Sequence, residues 1–242
     1  MSVNSTSNGT PVRGAAALVT GGHRGFGRAV VDELLAQGAA KVYATSRTPQ
    51  PAHDDRIVSL VLDVTDDESV AAAAQAAGDV SIVVSNAGVA LGTPVLSAPL
   101  DAIRAELETN LFGVIRVARA FAPVLAEHRP SSLVNVLSVL SWLSFGNGYE
   151  ISKAAAWSAT NSLRVELRDH GTTVTGLHVG YMDTDMIAGL DVPKSDPREI
   201  ARQTVAAIVA GSYEVLADST TRAVKSQLSN EDLTQLYSQL AA

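Results

Sequence analysis

Several residue types and patterns are missing from this 242-residue chain, and each absence narrows the range of functions. There is no cysteine, so disulfides, thiolate catalysis and cysteine metal ligands are excluded. The five histidines show neither HxxxH nor HExxH spacing, so we expect no metal site. The formal net charge is −7 and there is no basic stripe, which argues against a nucleic-acid partner and against binding to an anionic membrane.

Long apolar runs are also missing from the sequence. Residues 1–11 are mostly small and polar, lack the apolar stretch of a signal peptide, and are predicted to form a disordered N-terminal tail. No continuous apolar run is as long as a membrane-spanning helix. Because 46% of the residues are hydrophobic and no Pro-, Gly- or Ser-rich linker follows the tail, residues 12–242 are expected to fold as a single domain. We therefore expect a soluble, cytoplasmic protein.

Short β-branched apolar runs alternate with helical patterns along the chain. The runs predict seven strands, buried on both faces, over residues 15–20, 41–46, 57–64, 80–88, 132–139, 173–180 and 213–218. Helical spacing marks residues 26–37, 67–77, 98–127 and 148–170, a helix that opens at Asp196, and a last helix over 220–240. This alternation predicts an α/β fold in which a doubly wound, seven-stranded parallel sheet carries helices on both faces.

A glycine-rich loop follows the first predicted strand, with Gly21, Gly25 and Gly27 leading into a helix. Glycine permits a tight turn and lets the backbone approach a pyrophosphate, and a helix N-terminus offers unpaired N–H groups to phosphates. Ligands of doubly wound sheets bind beyond the carboxyl ends of the strands, which is where this loop lies. The combination of strand, glycine loop and helix predicts a dinucleotide site, rather than a plain glycine turn.

The end of the second predicted strand distinguishes between the two nicotinamide dinucleotides. An NAD site usually has a carboxylate here for the ribose 2′-hydroxyl, but the strand ends in Thr45, Ser46 and Arg47. Arg47 can pair with a 2′-phosphate instead, and Arg24 in the glycine loop is near enough to help. We therefore predict NADP(H) as the cofactor; the alternative is two solvated arginines at a loop edge.

Tyr149 and Lys153 lie four residues apart in a predicted helix, so their side chains share one face. A nearby positive charge is expected to lower the pKa of the phenol, which suits a group that transfers protons near neutral pH. An ordinary surface pair would have the same spacing. Glu150 is about 100° further round the helix and is expected to face elsewhere.

These motifs, together with Asp63-Val64 and Asn86-Ala87-Gly88, resemble the short-chain dehydrogenase/reductase family over residues 12–220. The resemblance implies a Rossmann-like fold. It also implies a set of cofactor contacts: Gly21, His23, Arg24, Gly25, Phe26, Gly27, Arg47, Asp63, Val64, Asn86, Ala87, Gly88, Tyr149, Lys153, Gly180 and Thr184. One departure from the family pattern is Val179, which stands where the family has proline before Gly180.

The same resemblance implies four catalytic residues, namely Asn110, Ser138, Tyr149 and Lys153. Ser138 would hydrogen-bond the carbonyl oxygen, and Asn110 would connect Lys153 to solvent through a water. The segment from Ser138 to Tyr149 is shorter than is usual in the family, so Ser141 is a rival for the catalytic serine.

Apolar and aromatic residues near these positions predict the substrate pocket, which comprises Ser138, Leu140, Trp142, Phe145, Tyr149, Tyr181 and Met186. Residues 182–195 have little helical pattern and are predicted to form a mobile lid. These linings favour an apolar or aromatic ketone, aldehyde or secondary alcohol. For Trp142 and Tyr181, a place in the core or in an interface is an equal alternative.

The resulting functional prediction is an NADP(H)-dependent oxidoreductase that transfers a hydride between nicotinamide and a small carbonyl or alcohol substrate, with Tyr149 as the proton donor or acceptor. Two alternatives share the fold. One is a non-catalytic NADP(H)-sensing protein. The other is a halohydrin-dehalogenase-like enzyme, which should carry arginine at the position of Lys153 and a disrupted glycine loop. The resemblance also implies a homodimer or homotetramer formed through the fourth and fifth predicted helices.

Overall fold

A computed structural model of the chain describes residues 9–48 and 50–229 and contains one seven-stranded sheet. Its strands are β1 (Ala16–Val19), β2 (Lys41–Ser46), β3 (Ile57–Val61), β4 (Ile82–Ser85), β5 (Ser131–Val136), β6 (Thr172–His178) and β7 (Glu214–Leu216). All neighbouring strands are parallel, in the order β3-β2-β1-β4-β5-β6-β7. The seven predicted strands and the doubly wound parallel sheet are therefore confirmed.

Helices cover both faces of this sheet, as predicted. They are α1 (Gly25–Ala36), α2 (Asp67–Ala76), α3 (Leu100–Leu107), α4 (Gly113–Glu127), α5 (Gly148–Glu166), α6 (Pro197–Ala210) and α7 (Ser219–Gln227). Alternate residues of β1 face opposite layers, since Ala17 and Val19 pack in the core with α1 and α6 whereas Leu18 packs with α2 and α4. The part of the last predicted helix beyond residue 229 lies outside the described residues.

The third strand differs from the prediction that every strand is buried on both faces. In β3, Val58 is 37% exposed and Val61 is 53% exposed. This strand lies at the edge of the sheet and pairs only with β2, so its outer residues are less covered than those of the central strands.

The long helix predicted over residues 98–127 is interrupted in its middle. A π-helical turn at Glu108–Phe112 joins α3 to α4, and π turns inside α-helices often occur at functional sites. By length and composition alone the stretch Leu100–Glu127 could cross a membrane, which differs from our reading of the sequence. Its residues Val117, Phe121 and Leu125 are nevertheless buried in the core against the sheet.

The predicted N-terminal tail ends earlier than residue 11. Thr10 is buried, its N–H donates to the carbonyl of Ile208 at 3.0 Å, and its hydroxyl lies 2.8 Å from that of Ser132. These contacts attach the chain to α6 and β5 before the first strand begins. Residues 1–8 of the predicted tail lie outside the described residues.

Candidate active site

The carboxyl ends of β1 and β4 are held together by Thr20. Its hydroxyl accepts the main-chain N–H groups of Asn86 and Ala87, both at 2.9 Å. The Asn86 amide donates in return to the carbonyls of Thr20, at 2.8 Å, and Gly21, at 3.3 Å. The strand order reverses between these two strands, so the glycine loop and Asn86-Ala87-Gly88 meet where doubly wound sheets bind ligands.

The geometry of the glycine loop requires glycine at the three predicted positions. Gly21 and Gly25 have φ angles of +66° and +52°, which side chains rarely adopt. A Cβ atom at Gly27 would overlap the carbonyl oxygen of Gly21 and lie 2.6 Å from the Asn86 amide nitrogen. The loop is therefore closely packed against the end of β4.

The first turn of α1 fits a phosphate group. Four other helices begin at an aspartate or asparagine whose side chain caps the helix, namely α2, α5, α6 and α7. In contrast, α1 begins at Arg24 without a side-chain cap, so its first N–H groups are available to an anion. The Phe26 side chain is buried in the core, so only its main chain can contribute to such a site.

The residues predicted for the adenosine end of a dinucleotide lie at one edge of the sheet. Hydrogen bonds from Thr65, together with the nearby Arg47 guanidinium, lower the pKa of Asp63 despite partial burial. Arg47 is exposed, whereas Val64 is buried next to Gly113. An exposed guanidinium beside an ionised carboxylate can hold the phosphate and polar groups of a nucleotide.

His23 contributes to the position of the glycine loop. Its Nε2 atom donates to the carbonyl of Ala44 in β2 at 2.9 Å. The imidazole therefore ties the loop to the neighbouring strand. A direct contact between His23 and a cofactor remains a prediction.

The start of the predicted lid lies next to the glycine loop. Thr184 is 3.6 Å from the position a Cβ would have at Gly25, and Asp185 forms an exposed ion pair with Arg24 at 3.4 Å. The segment is closed at its base by a bridge between Met182 and Ser195, and residues Asp185–Ile187 form one 3₁₀ turn. The fold thus brings Thr184 next to the glycine loop. Motion of the lid segment remains a prediction.

Asp218 supports the loop after β6, and the sequence analysis did not identify it. Its carboxylate accepts the N–H of Gly180 at 2.6 Å and also caps α7 through the N–H of Thr221 at 2.7 Å. An aspartate directly before a helical pattern is a capping signal that was available in the sequence.

Tyr149, Ser138 and Lys153 come together at the carboxyl end of β5. The Ser138 hydroxyl faces the Tyr149 phenol, and the Lys153 ammonium lies 5.6 Å from the centre of the tyrosine ring. Lys153 is buried and donates to the carbonyl of Val136 at 2.8 Å. The structure therefore places three of the four predicted catalytic side chains in one cluster.

The protonation of this cluster differs from the expectation. Burial raises the pKa of Tyr149 to about 12, the Ser138 hydrogen bond opposes that rise, and the charge of Glu106 adds to it. Burial also lowers the pKa of Lys153 to about 8. The predicted lowering of the Tyr149 pKa is wrong for this structure because the loss of hydration outweighs the nearby ammonium. At neutral pH the phenol therefore carries its proton.

The two candidate serines have different surroundings. Ser138 faces Tyr149, and its hydroxyl also accepts the N–H of Leu140 at 3.1 Å. The Ser141 hydroxyl accepts the N–H of Ser138 at 3.4 Å and so turns back into its own loop. This geometry favours Ser138 over Ser141 as the group that contacts a substrate.

Asn110 lies in the π-helical turn and is buried. Its amide accepts the N–H of Val89 at 2.9 Å, donates to the Val89 carbonyl at 2.8 Å, and donates to the Ser152 hydroxyl at 2.9 Å. A Cβ at Gly88 would lie 3.1 Å from the Asn110 oxygen and 3.7 Å from the Lys153 nitrogen. Asn110 is therefore adjacent to Lys153, and its water-mediated link to solvent remains a prediction.

Two predicted pocket residues support the serine loop instead. Trp142 stacks on His178 with ring centres 3.9 Å apart, and the Lys225 ammonium lies 4.6 Å from the Trp142 ring. Leu140 and Trp142 pack against a small core that includes Val224 of α7. This packing supports the core alternative for Trp142. Phe145, Tyr181 and Met186 are 55%, 42% and 52% exposed, so they remain available to a substrate.

Glu150 faces the turn that precedes α5. It is buried, completes the capping box of α5 with Asn147, and accepts the N–H groups of Phe145 at 2.8 Å and Gly146 at 2.9 Å. Its carboxylate therefore holds the turn that leads into Tyr149. The Asn-x-x-Glu spacing at the start of the helix is a capping signal that is visible in the sequence.

His178 lies behind Ser138 and gives a testable dependence of stability on pH. Its Nδ1 atom donates to the Ser138 carbonyl at 3.1 Å, and burial lowers its pKa from 6.5 to about 4. As the pH falls from 6.5 to 4, His178 becomes protonated in the unfolded protein but stays largely neutral in the folded protein. The contribution of His178 to the free energy of unfolding should therefore be fully present above pH 6.5. It should fall by about 3 kcal/mol by pH 4.

The measurement is urea unfolding at pH 7 and pH 4.5 for the native protein and for His178→Gln, which retains a donor but does not titrate. The variant should lose at least 2 kcal/mol less than the native protein over this range, as an order of magnitude. Equal losses in the two proteins would assign the acid sensitivity to other groups.

Comparison with known proteins supports the oxidoreductase class that the sequence predicts. The family described as short chain dehydrogenase matches residues 15–194. A 1-deoxy-11-beta-hydroxypentalenate dehydrogenase of Streptomyces exfoliatus is 34% identical over 74% of this chain and 71% of its own length. A 3-oxoacyl-[acyl-carrier-protein] reductase of Escherichia coli is 31% identical over 84% of this chain and 86% of its own length.

Solved structures agree with these sequence relatives. A short chain dehydrogenase from Burkholderia cenocepacia in complex with NADP has a TM-score of 0.90 and 34% identity, covering 96% of this chain and all of its own. An NADPH-bound carbonyl reductase from chicken fatty liver has a TM-score of 0.74 and 25% identity, covering 81% of this chain and 92% of its own. The chain belongs to the short-chain dehydrogenase family of oxidoreductases.

Proposed function

We propose that this protein is an NADP(H)-dependent reductase of ketones or aldehydes that also acts on the corresponding secondary alcohols. The observation that carries this proposal is the cluster of Tyr149, Ser138 and Lys153 at the same edge of the sheet as the glycine loop. A phenol that keeps its proton at neutral pH suits the donation step of carbonyl reduction.

Each residue of the cluster has a chemical role in this reaction. When bound, the nicotinamide supplies the hydride. Tyr149 donates its proton to the carbonyl oxygen, and Ser138 donates a hydrogen bond to the same oxygen as negative charge develops there. One of the three N–H groups of Lys153 donates to the Val136 carbonyl. The other two are left to donate to the hydroxyls of the nicotinamide ribose.

The NADP(H) preference is supported by the charges around the adenosine end of the site. Arg47 is exposed beside Asp63, and Arg24 is 80% exposed with only a surface pairing to Asp185. Both guanidinium groups are able to turn toward a 2′-phosphate. The structural relatives from Burkholderia cenocepacia and from chicken liver bind NADP and NADPH, respectively.

An apolar substrate is supported by the residues around the entrance. The segment after β4 is linked to the Phe145 loop by a hydrogen bond from Val95 N–H to the Gly146 carbonyl. Leu91 and Leu96 on this segment are exposed, as are Phe145 and Met186. Exposed apolar side chains on both the loop and the lid segment favour an apolar or aromatic body attached to the reacting carbon.

We also propose a cytoplasmic homodimer or homotetramer. Phe112, Ile151 and Val165, which lie in the π turn and in α5, are 46%, 42% and 66% exposed. Large exposed apolar side chains on helices are typical of surfaces that pack against another copy.

The two alternatives have less support. A protein that only senses NADP(H) has no use for a complete proton-donating cluster, and a halohydrin-dehalogenase-like enzyme has no use for an intact dinucleotide loop. Both features are present here.

The proposal is tested by binding and turnover with the purified protein. NADPH and NADH are titrated separately by tryptophan fluorescence, and a panel of aryl and aliphatic ketones is then followed by NADPH absorbance. We expect tighter binding of NADPH and turnover of at least one apolar ketone. Tight binding without turnover on a broad panel would favour the sensor, and no binding of either nucleotide would contradict the proposal.

Arg47→Ala tests the cofactor preference within the same experiment. Loss of one charge-assisted contact should weaken NADPH binding about tenfold to a hundredfold and change NADH binding less than about twofold. Arg13→Ala is a matched control because Arg13 is also exposed but precedes β1, at the opposite edge of the sheet. Equal losses for both nucleotides would exclude a 2′-phosphate contact.

A further inference from the structure

A buried carboxylate lies next to the predicted catalytic cluster and was not part of the predicted site. Glu106 is in α3, one turn before Asn110, and is completely buried. One of its oxygens accepts the N–H of Leu91 at 2.7 Å, and the other accepts the hydroxyl of Thr93. Both partners belong to the segment that follows β4 and forms one side of the cleft.

Within residues 9–48 and 50–229, Glu106 takes part in none of the ion pairs, although it is fully buried. Burial of a carboxylate without a cation costs several kcal/mol unless its hydrogen bonds offset the lost hydration. The same helical face carries the apolar Ile103, so leucine or valine would fit the pattern better. A charge at this position therefore calls for a reason other than packing.

The carboxylate touches the helix that carries Tyr149. A Cβ at Gly148, the first residue of α5, would overlap a Glu106 carboxylate oxygen and lie 2.5 Å from the Thr93 hydroxyl. The Gly148 N–H also donates to the Thr93 carbonyl at 2.9 Å. Glu106 and Thr93 thus join α3, the segment after β4 and the start of α5 at the residue before Tyr149.

The charged and titratable groups around Tyr149 come from three directions. Lys153 lies beside the ring on α5, Ser138 contacts the phenol from the loop after β5, and Glu106 acts from α3. Glu150 is the neighbouring acid on α5, but its carboxylate is bound to the turn before the helix. Glu106 is thus the acidic group whose field opposes ionisation of the phenol.

We propose that Glu106 is a positioning residue for Tyr149: its carboxylate fixes the segment after β4 against the start of α5 and places a negative charge near the neighbouring phenol. This inference rests on the proposed carbonyl reduction and deepens it, because a negative charge near the phenol disfavours the phenolate that alcohol oxidation requires. Glu106 itself is completely buried and so presents no surface to a substrate or cofactor.

Glu106→Gln separates charge from shape. The amide oxygen can still accept from Leu91, and the amide nitrogen can donate to the Thr93 hydroxyl, so both hydrogen bonds survive while the charge is lost. Thr93→Val makes the opposite change, since it removes one hydrogen bond and retains the charge. Glu108→Gln is a second control that removes a charge from the adjacent π turn, where Glu108 pairs with Arg116.

The readout is the ionisation of Tyr149 itself, measured without turnover. The chain has five tyrosines, so a ring-fluorinated tyrosine, whose phenol ionises at lower pH, gives few ¹⁹F signals. Tyr149→Phe identifies the signal of interest. In Glu106→Gln the titration midpoint should move to lower pH by on the order of half to one pH unit. Thr93→Val and Glu108→Gln should keep the native midpoint.

Two outcomes would overturn the inference. One is a Glu106→Gln midpoint equal to that of the native protein, and the other is an equal displacement in Thr93→Val, which would assign the effect to packing. Failure of the proposed function is recognised separately, because Tyr149→Phe would then retain native turnover whatever the midpoints show.

Discussion

Tyr149→Phe is expected to reduce kcat for ketone reduction about a hundredfold to ten-thousandfold, the usual contribution of a positioned general acid. The phenyl ring fills the same space beside Lys153, so the fold and the dinucleotide loop should be unaffected. NADPH should therefore bind within about twofold of its native affinity, because the contacts of its phosphates lie on other elements. The measurement pairs a nucleotide titration with steady-state kinetics.

Tyr213→Phe is the matched control for this substitution. Tyr213 is 62% exposed and directly precedes β7, away from Ser138, so loss of its hydroxyl should leave turnover unchanged. If Tyr149→Phe retained native turnover, another proton donor would have to be sought. If it lost NADPH binding as well, the defect would be structural.

Gly27→Ala is expected to abolish measurable NADPH binding or to weaken it at least about a hundredfold. The new methyl group would overlap the carbonyl oxygen of Gly21 and approach the Asn86 amide, which two hydrogen bonds hold in place. The loop would have to move away from β4, which displaces the N–H groups that face the phosphates. Overpacking of this kind should also cost about 1–3 kcal/mol of stability.

Gly78→Ala tests whether the effect is local. A Cβ at Gly78 would make only ordinary contacts, 3.5 Å at the nearest, and the residue lies before β4 at the opposite edge of the sheet. Both variants are compared by NADPH titration and by thermal unfolding. Native-like binding by Gly27→Ala would mean that the cofactor does not depend on this loop.

The fold could be predicted from the sequence because hydrophobic periodicity is a local property that survives in the structure. The observed strands fall within the predicted runs or within one residue of them, as Ser131–Val136 and Thr172–His178 show. The burial of β3 was predicted incorrectly since position within a sheet is set by topology, not by the composition of the strand. The π turn at Glu108–Phe112 gave no sequence signal either, because its residues look like any helical stretch.

The parts of the site that could be predicted are those whose residues lie close together in the sequence. The glycine loop and the Tyr149–Lys153 pair each lie on one element, and the structure places them at the expected edge. The packing of Trp142 was left open between pocket and core because its partners, His178 and Lys225, come from β6 and α7. The Tyr149 pKa was predicted with the wrong sign for a similar reason, since burial depends on all the elements around the phenol.

Glu106 shows a different limit of sequence reasoning. A glutamate in an amphipathic helix is normally solvated, so the helical pattern alone did not single out Glu106. Only the approach of Thr93 and Gly148 makes the carboxylate part of the site. A charged residue at an inward-facing helical position is thus a signal that future sequence analysis of such chains can use.

The stacking of Trp142 on His178 has a spectroscopic consequence. Trp142 and Trp157 are the two tryptophans of the chain, and their rings meet edge to face at 5.9 Å in the cluster between α5, β6 and α7. Their emission therefore reports one location, directly behind Ser138. Detachment of α7 would change that signal while the sheet is still intact, so fluorescence and circular dichroism should separate if this corner opens before the rest of the fold.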